Sequence, residues 1–343
     1  MKHLLNTLFV TTKDAYLTLD GENVVVNREK EEVARFPLHT LQSIISFSYA
    51  GASPALMGKC AEKNINMVFC SPHGRFLART AGITNGNVLL RREQYRVADD
   101  ELRSCEIARN MIFGKVFNAR WNLERTKRDH RLRIDEEKFT HVSEELKAFL
   151  PQIESAERLD ILRGLEGSAA TAYFSLFNDM ILRSKAEFPF DTRNRRPPLD
   201  RVNAMLSFAY SLLSHDCASA LESVGLDSYV GFMHRDRPGR TSLALDLMEE
   251  LRPCFADRFV LTLINNQIMQ ADDFVIEENG AVRMKDEARR KFLKSWQSRK
   301  QELITHPYLE EKMPWGLVPY IQALLLARYL REDLEQYPPF LWK

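Results

Sequence analysis

Residues 81–90 read AGITNGNVLL, and this stretch separates two parts of the chain that differ in character. Gly82, Gly86 and two asparagines make it a loop-forming segment, because both residue types accept the backbone angles of turns. Short β-rich runs precede it and long helical patterns follow it. The predicted fold class is therefore α+β and multidomain, with a small N-terminal β-rich domain at residues 1–88 and a larger all-helical domain at residues 89–343.

Turn dipeptides mark the strands of the first part. AYLTLDGENVVV, residues 15–26, predicts a β hairpin that turns at Asp20-Gly21, since this dipeptide accepts positive φ. Ser53-Pro54 predicts the start of a short helix, with serine as the N-cap and proline in the first turn. Strand-like apolar runs lie on both sides of that helix, so a β-α-β-β order is expected around it.

The second part is expected to consist of helices. DTRNRRPP, residues 191–198, is polar and contains prolines, which predicts a loop between two of them. The predicted helices cover residues 100–132, 140–150, 155–183, 200–222, 242–268, 286–303 and 314–336.

The composition is that of a globular protein. Hydrophobic residues make up 45% and charged residues 28% of the 343 residues. Because 48 Lys and Arg face 47 Asp and Glu, the net charge is +1, so any nucleic-acid surface must be local. Five widely spaced cysteines without a CxxC motif, no signal peptide and no stretch of about 20 apolar residues predict a cytoplasmic protein that does not enter membranes.

Several common catalytic signatures are missing from the sequence. It contains no GxxxxGK[ST], GxGxxG, HExxH or GxSxG pattern, which removes the usual support for P-loop, dinucleotide and serine-hydrolase chemistry. Cys60, Cys70 and His73 could contribute to a zinc site, although their spacing fits no common zinc motif. His215-Asp216 matches the core of HD-type phosphohydrolases, but the other histidines do not offer the set that such a site needs.

Two segments of the second part carry residues suited to metal and phosphate chemistry. LRGLEGSAATAYF, residues 162–174, surrounds Glu166 with small residues that are expected to let another backbone approach closely. YVGFMHRDRPGR, residues 229–240, carries His234 into an arginine-rich loop, and arginine forks match phosphate oxygens. A helix-packing role for the first segment and a structural role for the histidine remain open.

A third segment, TSLALDLMEELRP, predicts a helix at residues 241–253 with an acidic face. Asp246, Glu249 and Glu250 lie at i, i+3 and i+4, where like charges destabilise a helix unless a cation neutralises them. Carboxylates together with an imidazole suit a hard or borderline divalent ion, Mn²⁺ or Mg²⁺. With arginines to hold a phosphodiester, the three segments predict phosphoryl transfer on nucleic acid.

Two basic runs favour the same substrate class. Residues 115–133 hold seven Lys or Arg against two acids, with Phe117 and Trp121 between them. Residues 283–300 hold eight against two, with Phe292 and Trp296. Basic stripes with aromatic residues are typical of DNA-binding surfaces, although each run could equally be a solvated helix face.

The sequence resembles the CRISPR-associated Cas1 family, the integrase and endonuclease subunit of spacer acquisition. The resemblance is carried, in this order, by LRGLEGSAATAYF, RRPPLDRVNAMLSFAYSLL and GLDSYVGFMHRDRPGRTSLALDLMEELRP, and it extends over the whole chain. The sequence looks most similar to the proteins of type I-C systems. The resemblance implies that the β-rich domain mediates dimerisation and that the helical domain is catalytic and metal-dependent.

The resemblance also implies the metal ligands. Glu166, His234 and Glu249 match the family's ligand positions and are the predicted catalytic residues. Asp246 matches a second nearby acid and is a further candidate ligand. Many family members carry aspartate where this chain has Glu249, so the chain departs from the family there.

Further roles follow from the same resemblance. Arg237 and Arg240 are candidate contacts to DNA phosphates by their position, and Asn203 is a candidate for orienting a ligand. The implied reaction is Mn²⁺- or Mg²⁺-dependent joining of protospacer 3′-hydroxyl ends to the leader-repeat of the CRISPR array, and water in place of the hydroxyl gives endonuclease activity. The implied partners are double-stranded DNA, a second copy of the chain, and a Cas2 dimer in a four-plus-two heterohexamer. A non-catalytic DNA-binding scaffold of the same fold is the alternative.

Overall fold

The structure is a computed structural model of the chain. It describes residues 7–41, 43–63, 65–72, 76–80 and 88–343. The predicted loop at 81–87 lies outside the described residues. No helix in the described part of the chain is both long and apolar enough to span a bilayer.

The N-terminal region is β-rich, as predicted. Helix α1 is Pro54–Glu62, and strands β1 to β7 are Thr7–Val10, Tyr16–Asp20, Asn23–Arg28, Glu31–Pro37, Ser43–Ser46, Asn66–Cys70 and Phe76–Arg79. One sheet has the order β1-β5-β6-β7, in which β7 alone runs antiparallel to its neighbour. The other sheet is the antiparallel meander β2-β3-β4.

Local sequence signals account for this region. The predicted hairpin is confirmed, because Asp20 pairs with Asn23 and Gly21 adopts a φ of +56° in the turn. The predicted helix start is confirmed as well, since the Ser53 side chain accepts a hydrogen bond from the backbone nitrogen of Leu56 at 3.2 Å. Apolar side chains from both sheets and α1 then form one core that includes Leu17, Val24, Leu38, Ile44, Leu56 and Met67.

The rest of the described chain is mostly helical, also as predicted. Helices α2 to α10 are Val88–Asp99, Glu101–His130, Glu136–Glu154, Leu159–Ser175, Arg201–Ser223, Ser242–Glu249, Arg258–Asn265, Asp286–Gln301 and Val318–Leu330. Strands β8 to β11 are Phe274–Ile276, Val282–Met284, Leu303–Thr305 and Lys312–Pro314. Neither α2 nor any of these four strands is among the elements predicted from the sequence.

Two of the predicted helices are interrupted. The expected helix at 155–183 ends at Ser175 and continues as a short 3₁₀ turn. The expected helix at 242–268 divides into α7 and α8, because Arg252–Asp257 forms a π-helical segment. Pro253 lies in that segment, where its missing N–H prevents a regular α-helical hydrogen bond. A π-helical turn is wider than an α-helical turn, and this one follows shortly after the acidic residues at 246, 249 and 250.

The chain forms two compact units. One consists of Met1–Asn85, Phe292–Glu302 and Pro314–Leu317, and the other of Gly86–Lys291, Leu303–Met313 and Val318–Lys343. The first unit therefore includes part of α9. Separate dimerisation and catalytic roles for domains at 1–88 and 89–343 remain a prediction.

Candidate active site

Glu166 lies on α5 with open surface on both sides. Its side chain is 24% exposed, and Gly164 and Gly167 occupy exposed positions of the same helix. A Cβ atom added at either glycine would meet no described atom within 4 Å. For these two glycines, the prediction that small residues here admit a neighbouring backbone is therefore wrong. The glycines instead leave the approach to Glu166 free of side chains.

Lys115 of α3 joins Glu166 to Glu249 of α7. Its Nζ contacts Glu166 Oε1 and lies 2.7 Å from Glu249 Oε2. Burial lowers the pKa of Lys115, but the negative charges of Glu249 and Glu166 outweigh this effect, so its pKa lies above the ordinary value. The two acids thus share one buried ammonium group.

Arg252 neutralises the other side of Glu249. Its Nη2 lies 3.1 Å from Glu249 Oε1, and its guanidinium stacks on the Tyr210 ring at 4.9 Å from the centroid. Tyr210 in turn donates a hydrogen bond to Asp257 at 2.5 Å. Burial raises the pKa of Glu249, but Arg252 and Lys115 outweigh burial and hold it below its ordinary value. Glu249 is therefore ionised and lies between two cations.

Asp246 is buried in α7 and binds the loop that carries His234. Its Oδ1 accepts the backbone N–H of His234 at 3.0 Å and lies 2.5 Å from the ring Nδ1. Its Oδ2 accepts the backbone N–H groups of Phe232 at 2.6 Å and Met233 at 3.0 Å. Since Nδ1 faces the carboxylate, Nε2 is the ring nitrogen available to a metal. Asp246 therefore orients the histidine.

Two residues that sequence reasoning missed also hold this loop. Arg163 of α5 donates through Nη2 to the backbone oxygen of Met233 at 2.6 Å, which ties the histidine loop to the helix of Glu166. Gly231 allows close packing, since a Cβ there would lie 2.8 Å from both Asp246 Oδ2 and the Ser242 Cβ.

Glu250 is directed away from Glu249, toward the C-terminal segment. Its Oε1 accepts hydrogen bonds from the Tyr337 hydroxyl and, at 3.0 Å, from Gln322 Nε2, while its Oε2 accepts the backbone N–H of Phe340 at 2.8 Å. Burial raises its pKa to about 7, and the three donors offset part of that effect.

The prediction of one acidic face on this segment is wrong. Asp246, Glu249 and Glu250 are all buried and each has its own partners. Their partners lie on different elements: the histidine loop, α3 and the C-terminal segment. The structure thus separates one candidate ligand, one residue that orients the histidine, and one residue that anchors the C-terminal segment.

Four arginines from two loops form a basic cluster near Asp246. Burial lowers the pKa of Arg240, and the positive charges of Arg237, Arg195 and Arg196 lower it further. Within the described part of the chain, no carboxylate forms an ion pair with these four guanidinium groups. The predicted phosphate contacts Arg237 and Arg240 thus lie with two arginines that the sequence analysis did not select.

Asn203 organises the loop that carries two of these arginines. Its Oδ1 accepts hydrogen bonds from Arg193 Nη1 at 2.6 Å and from the backbone nitrogen of Asn194 at 3.1 Å, and its Nδ2 donates to the Thr192 oxygen at 2.8 Å. Its described contacts therefore fix the loop, whereas the sequence analysis expected it to orient a metal ligand.

Several side chains of the two basic runs are engaged within the protein and do not support the predicted DNA-binding role. Phe292 and Trp296 are buried at 0% and 1% exposure, so they are not available for stacking on bases. In the first run, Lys115 is engaged by the buried acids, and Arg125 lies 3.5 Å from Asp129. These aromatic and basic side chains serve packing and charge balance within the protein.

The alternative metal sites receive no support from the described residues. All five cysteines are buried and unbridged, and burial raises the pKa of the Cys60 thiol to about 11. His73 lies outside the described residues. As the described side chains stand, no three His, Cys, Asp or Glu residues are close enough together to hold a metal ion.

The residues of the candidate site nevertheless fit a divalent ion in chemical type. Glu166, Glu249 and His234 Nε2 supply a mixed oxygen and nitrogen donor set that suits Mn²⁺ or Mg²⁺. Glu249 Oε2 is buried and, although 2.7 Å from Lys115 Nζ, lies outside hydrogen-bond geometry. A buried carboxylate oxygen with ionic but no hydrogen-bonding compensation can accept a metal cation. In this structure the Lys115 ammonium lies between the two acids.

Comparison with known proteins gives the family. The family model described as CRISPR associated protein Cas1 matches residues 8–298. A relative from Chlorobaculum tepidum named CRISPR-associated endonuclease Cas1 1 is 48% identical over 343 residues and is covered completely, as is this chain.

Solved structures share the fold. A casposase bound to integration product has a TM-score of 0.83 at 24% identity, covering 98% of this chain and 93% of that one. A Cas6-RT-Cas1–Cas2 complex has a TM-score of 0.82 at 24% identity, covering 100% of this chain and 36% of that one. With the family match and the close relative, it follows that this chain belongs to the Cas1 family of CRISPR-associated endonucleases.

Proposed function

We propose that this chain is the integrase of CRISPR spacer acquisition and acts by metal-dependent transesterification. It joins the 3′-hydroxyl ends of a short DNA duplex to the leader-repeat of the CRISPR array. This role places the protein in the cytoplasm with the array. The observation that carries the proposal is the meeting of Glu166 and Glu249 at one buried cation, next to an oriented histidine and four arginines that form no ion pair with a carboxylate in the described part of the chain.

The proposed ligands are Glu166, His234 and Glu249, with Mn²⁺ or Mg²⁺ as the ion. Asp246 is proposed as a positioning residue, because its oxygens already accept three backbone N–H groups and face the histidine ring. When bound, the ion polarises the phosphodiester and stabilises the alkoxide that develops on the leaving oxygen. Glutamate in place of the family's aspartate at 249 reaches further from the backbone.

The chain's own residues bind and position the DNA. The arginines at 195, 196, 237 and 240 hold phosphate oxygens through paired N–H donors. The open surface beside Gly164 and Gly167 lets a DNA backbone approach Glu166 without meeting a side chain. The incoming 3′-hydroxyl gives up its proton as its oxygen forms a bond to phosphorus, the repeat's own P–O3′ bond breaks, and the released 3′-oxygen takes up a proton. The number of phosphodiester bonds is unchanged, so the step needs no external energy source.

The proposed partners follow from the family. The curated relatives are named endonucleases, one structural neighbour is a casposase on integration product, and another belongs to a complex with Cas2. These names support double-stranded DNA and a Cas2 dimer as partners of this chain. We propose a homodimer formed through the β-rich domain, with two such dimers flanking one Cas2 dimer.

An integration assay tests the proposal. Purified protein and its Cas2 partner are incubated with a 3′-hydroxyl duplex and a plasmid carrying leader and repeat, in Mn²⁺, Mg²⁺ or EDTA. We expect metal-dependent joining by wild type and loss of joining in H234A. H141A is the matched control, because His141 is exposed on α4. Equal joining by H234A and wild type would remove the histidine from the proposed site.

One observation favours the alternative, a DNA-binding scaffold. The acid pair is already neutralised by Lys115 and Arg252, so these four side chains carry no net charge even without a metal. A scaffold predicts that E166Q and E249Q leave DNA handling unchanged. The integrase predicts that both variants bind the duplex normally and fail to join it.

A further inference from the structure

Lys115 lies between the two acids that are proposed to bind the metal. Its ammonium bridges Glu166 of α5 and Glu249 of α7, so one flexible side chain of α3 connects the two helices that carry the acids. The side chains of Lys115 and Glu249 are largely buried, with exposures of 12% and 5%, and that of Glu166 is 24% exposed. At such a site, two like charges repel strongly unless a cation lies between them.

The second cation of the site is held differently. Arg252 contacts Glu249 and is also fixed by stacking on Tyr210, which is itself bonded to Asp257. Its planar guanidinium therefore has a second anchor apart from the acids. Lys115 carries its charge at the end of a four-carbon chain, and its ion-pair contacts are with the two acids.

We propose that Lys115 is a built-in counter-ion that holds Glu166 and Glu249 together before a metal binds and is displaced when the metal binds. This inference rests on the proposed metal-dependent function. The entering divalent ion takes over the attraction to both carboxylates, and the ammonium swings out on its aliphatic chain. Arg252 stays in place because Tyr210 holds it.

Removal of Lys115 should therefore have two effects of defined direction, one on stability and one on metal affinity. Without Lys115, the metal-free protein contains two facing carboxylates with less compensation, so its stability falls. The same loss raises metal affinity, because the ion no longer competes with an ammonium and relieves a larger repulsion. A purely structural lysine would have another signature, since its removal would destabilise the protein with or without metal and would weaken metal binding.

The test compares K115M with wild type by thermal unfolding in EDTA and by Mn²⁺ titration calorimetry. We expect K115M to unfold several degrees lower in EDTA and to bind Mn²⁺ about tenfold more tightly or better. K127M is the matched control on the same helix, because Lys127 pairs with Glu124 at a more exposed position, and we expect wild-type behaviour from it.

A second variant covers the case in which K115M does not fold without metal. K115M/E166Q removes one charge of each sign, and we expect it to fold in EDTA with a midpoint near that of wild type. Failure of this charge-balanced variant to fold would overturn the proposal, because the role of Lys115 would then not be charge compensation.

The remaining outcomes separate this inference from the proposed function. Equal or weaker Mn²⁺ binding by K115M, with wild type still binding, overturns the counter-ion role and leaves the metal site intact. Absence of Mn²⁺ binding in both proteins overturns the metal-dependent function and the inference together. Tighter binding combined with lower metal-free stability supports the inference.

Discussion

Asp246 and His234 are joined twice, through the histidine's backbone N–H at 3.0 Å and through its ring Nδ1 at 2.5 Å. A histidine that is held at both its backbone and its ring has little freedom to turn. Its Nε2 therefore points in one direction before any ion arrives. Such second contacts fix the tautomer and the ring orientation of a metal-binding histidine.

We expect D246N to weaken Mn²⁺ binding by about 10- to 100-fold, as is typical for loss of a residue that orients a ligand. Asparagine presents an amide N–H₂ where two of the donors now meet an oxygen, so the loop should also be less stable. Titration calorimetry and thermal unfolding measure both effects. D160N, an exposed change on α5, is the control. Unchanged Mn²⁺ affinity in D246N would show that the histidine does not depend on this contact.

Gly167→Ala and Gly231→Ala should change stability in opposite directions. At Gly167 a Cβ meets open space in a helix, so alanine should stabilise the protein by about 1 kcal/mol. At Gly231 the same atom would lie 2.8 Å from Asp246 Oδ2 and the Ser242 Cβ, so alanine should destabilise the protein and displace the histidine loop. Chemical denaturation of both variants measures the difference. A stabilising G231A would mean that this loop is less tightly packed than its contacts indicate.

The basic cluster should contribute to DNA affinity mainly through charge. R195A/R196A and R237A/R240A should each weaken duplex binding and lower the slope of log K against log salt by about two, because each phosphate contact contributes about 0.9. Fluorescence anisotropy at several salt concentrations measures the slope. R158A is the control, since Arg158 is exposed and paired with Asp160. Slopes equal to that of wild type would exclude these arginines from phosphate contact.

Stability should fall on acidification because of His306. Its Nδ1 accepts the backbone N–H groups of Tyr308 and Leu309 at 3.3 Å, its Nε2 lies 3.1 Å from Gln322 Oε1, and burial lowers its pKa. A histidine with a lowered pKa stays neutral in the folded state while the unfolded state takes up a proton. Its contribution is therefore complete above the ordinary pKa of about 6.5 and is lost as the pH falls below that value.

Urea unfolding of wild type and H306N between pH 7.5 and 5 tests this expectation. The free-energy difference between the two proteins should shrink as the pH falls, by at most about 1.4 kcal/mol per pH unit. H141N is the control, because its histidine is exposed. A constant difference across this range would mean that His306 takes up protons equally in both states.

Local patterns predict much of this fold because each signal acts within a few residues. The Asp20-Gly21 turn and the Ser53 cap need no distant partner, and the structure confirms both. The boundary between α2 and α3 depends on the Asp100 side chain, which accepts the backbone N–H groups of Leu102 and Arg103. Aspartate is a favoured N-cap residue, and the predicted helix at 100–132 indeed begins at this cap.

The residue types of the candidate site and their order along the chain were predictable from the sequence. How their charges are balanced in the fold was not. Lys115 appears in the sequence as one member of a basic run, and only tertiary packing brings it between Glu166 and Glu249. The divergent roles of the α7 acids likewise depend on partners from other elements, such as Tyr337 for Glu250. Helical spacing predicts which face of a helix carries a side chain, but it does not predict which residues of other elements that side chain contacts.

The hydrogen bonds of Glu250 limit which substitutions the protein tolerates at the residues that donate them. Glu249 and Glu250 are adjacent, yet one belongs to the proposed metal site and the other anchors Tyr337, Gln322 and Phe340. A substitution at Tyr337 would leave a buried carboxylate with fewer donors and would strain the peptide that also positions Glu249. Substitutions at Tyr337 and Gln322 are thus expected to disturb the residue next to a proposed ligand, although neither side chain would touch the metal or the DNA.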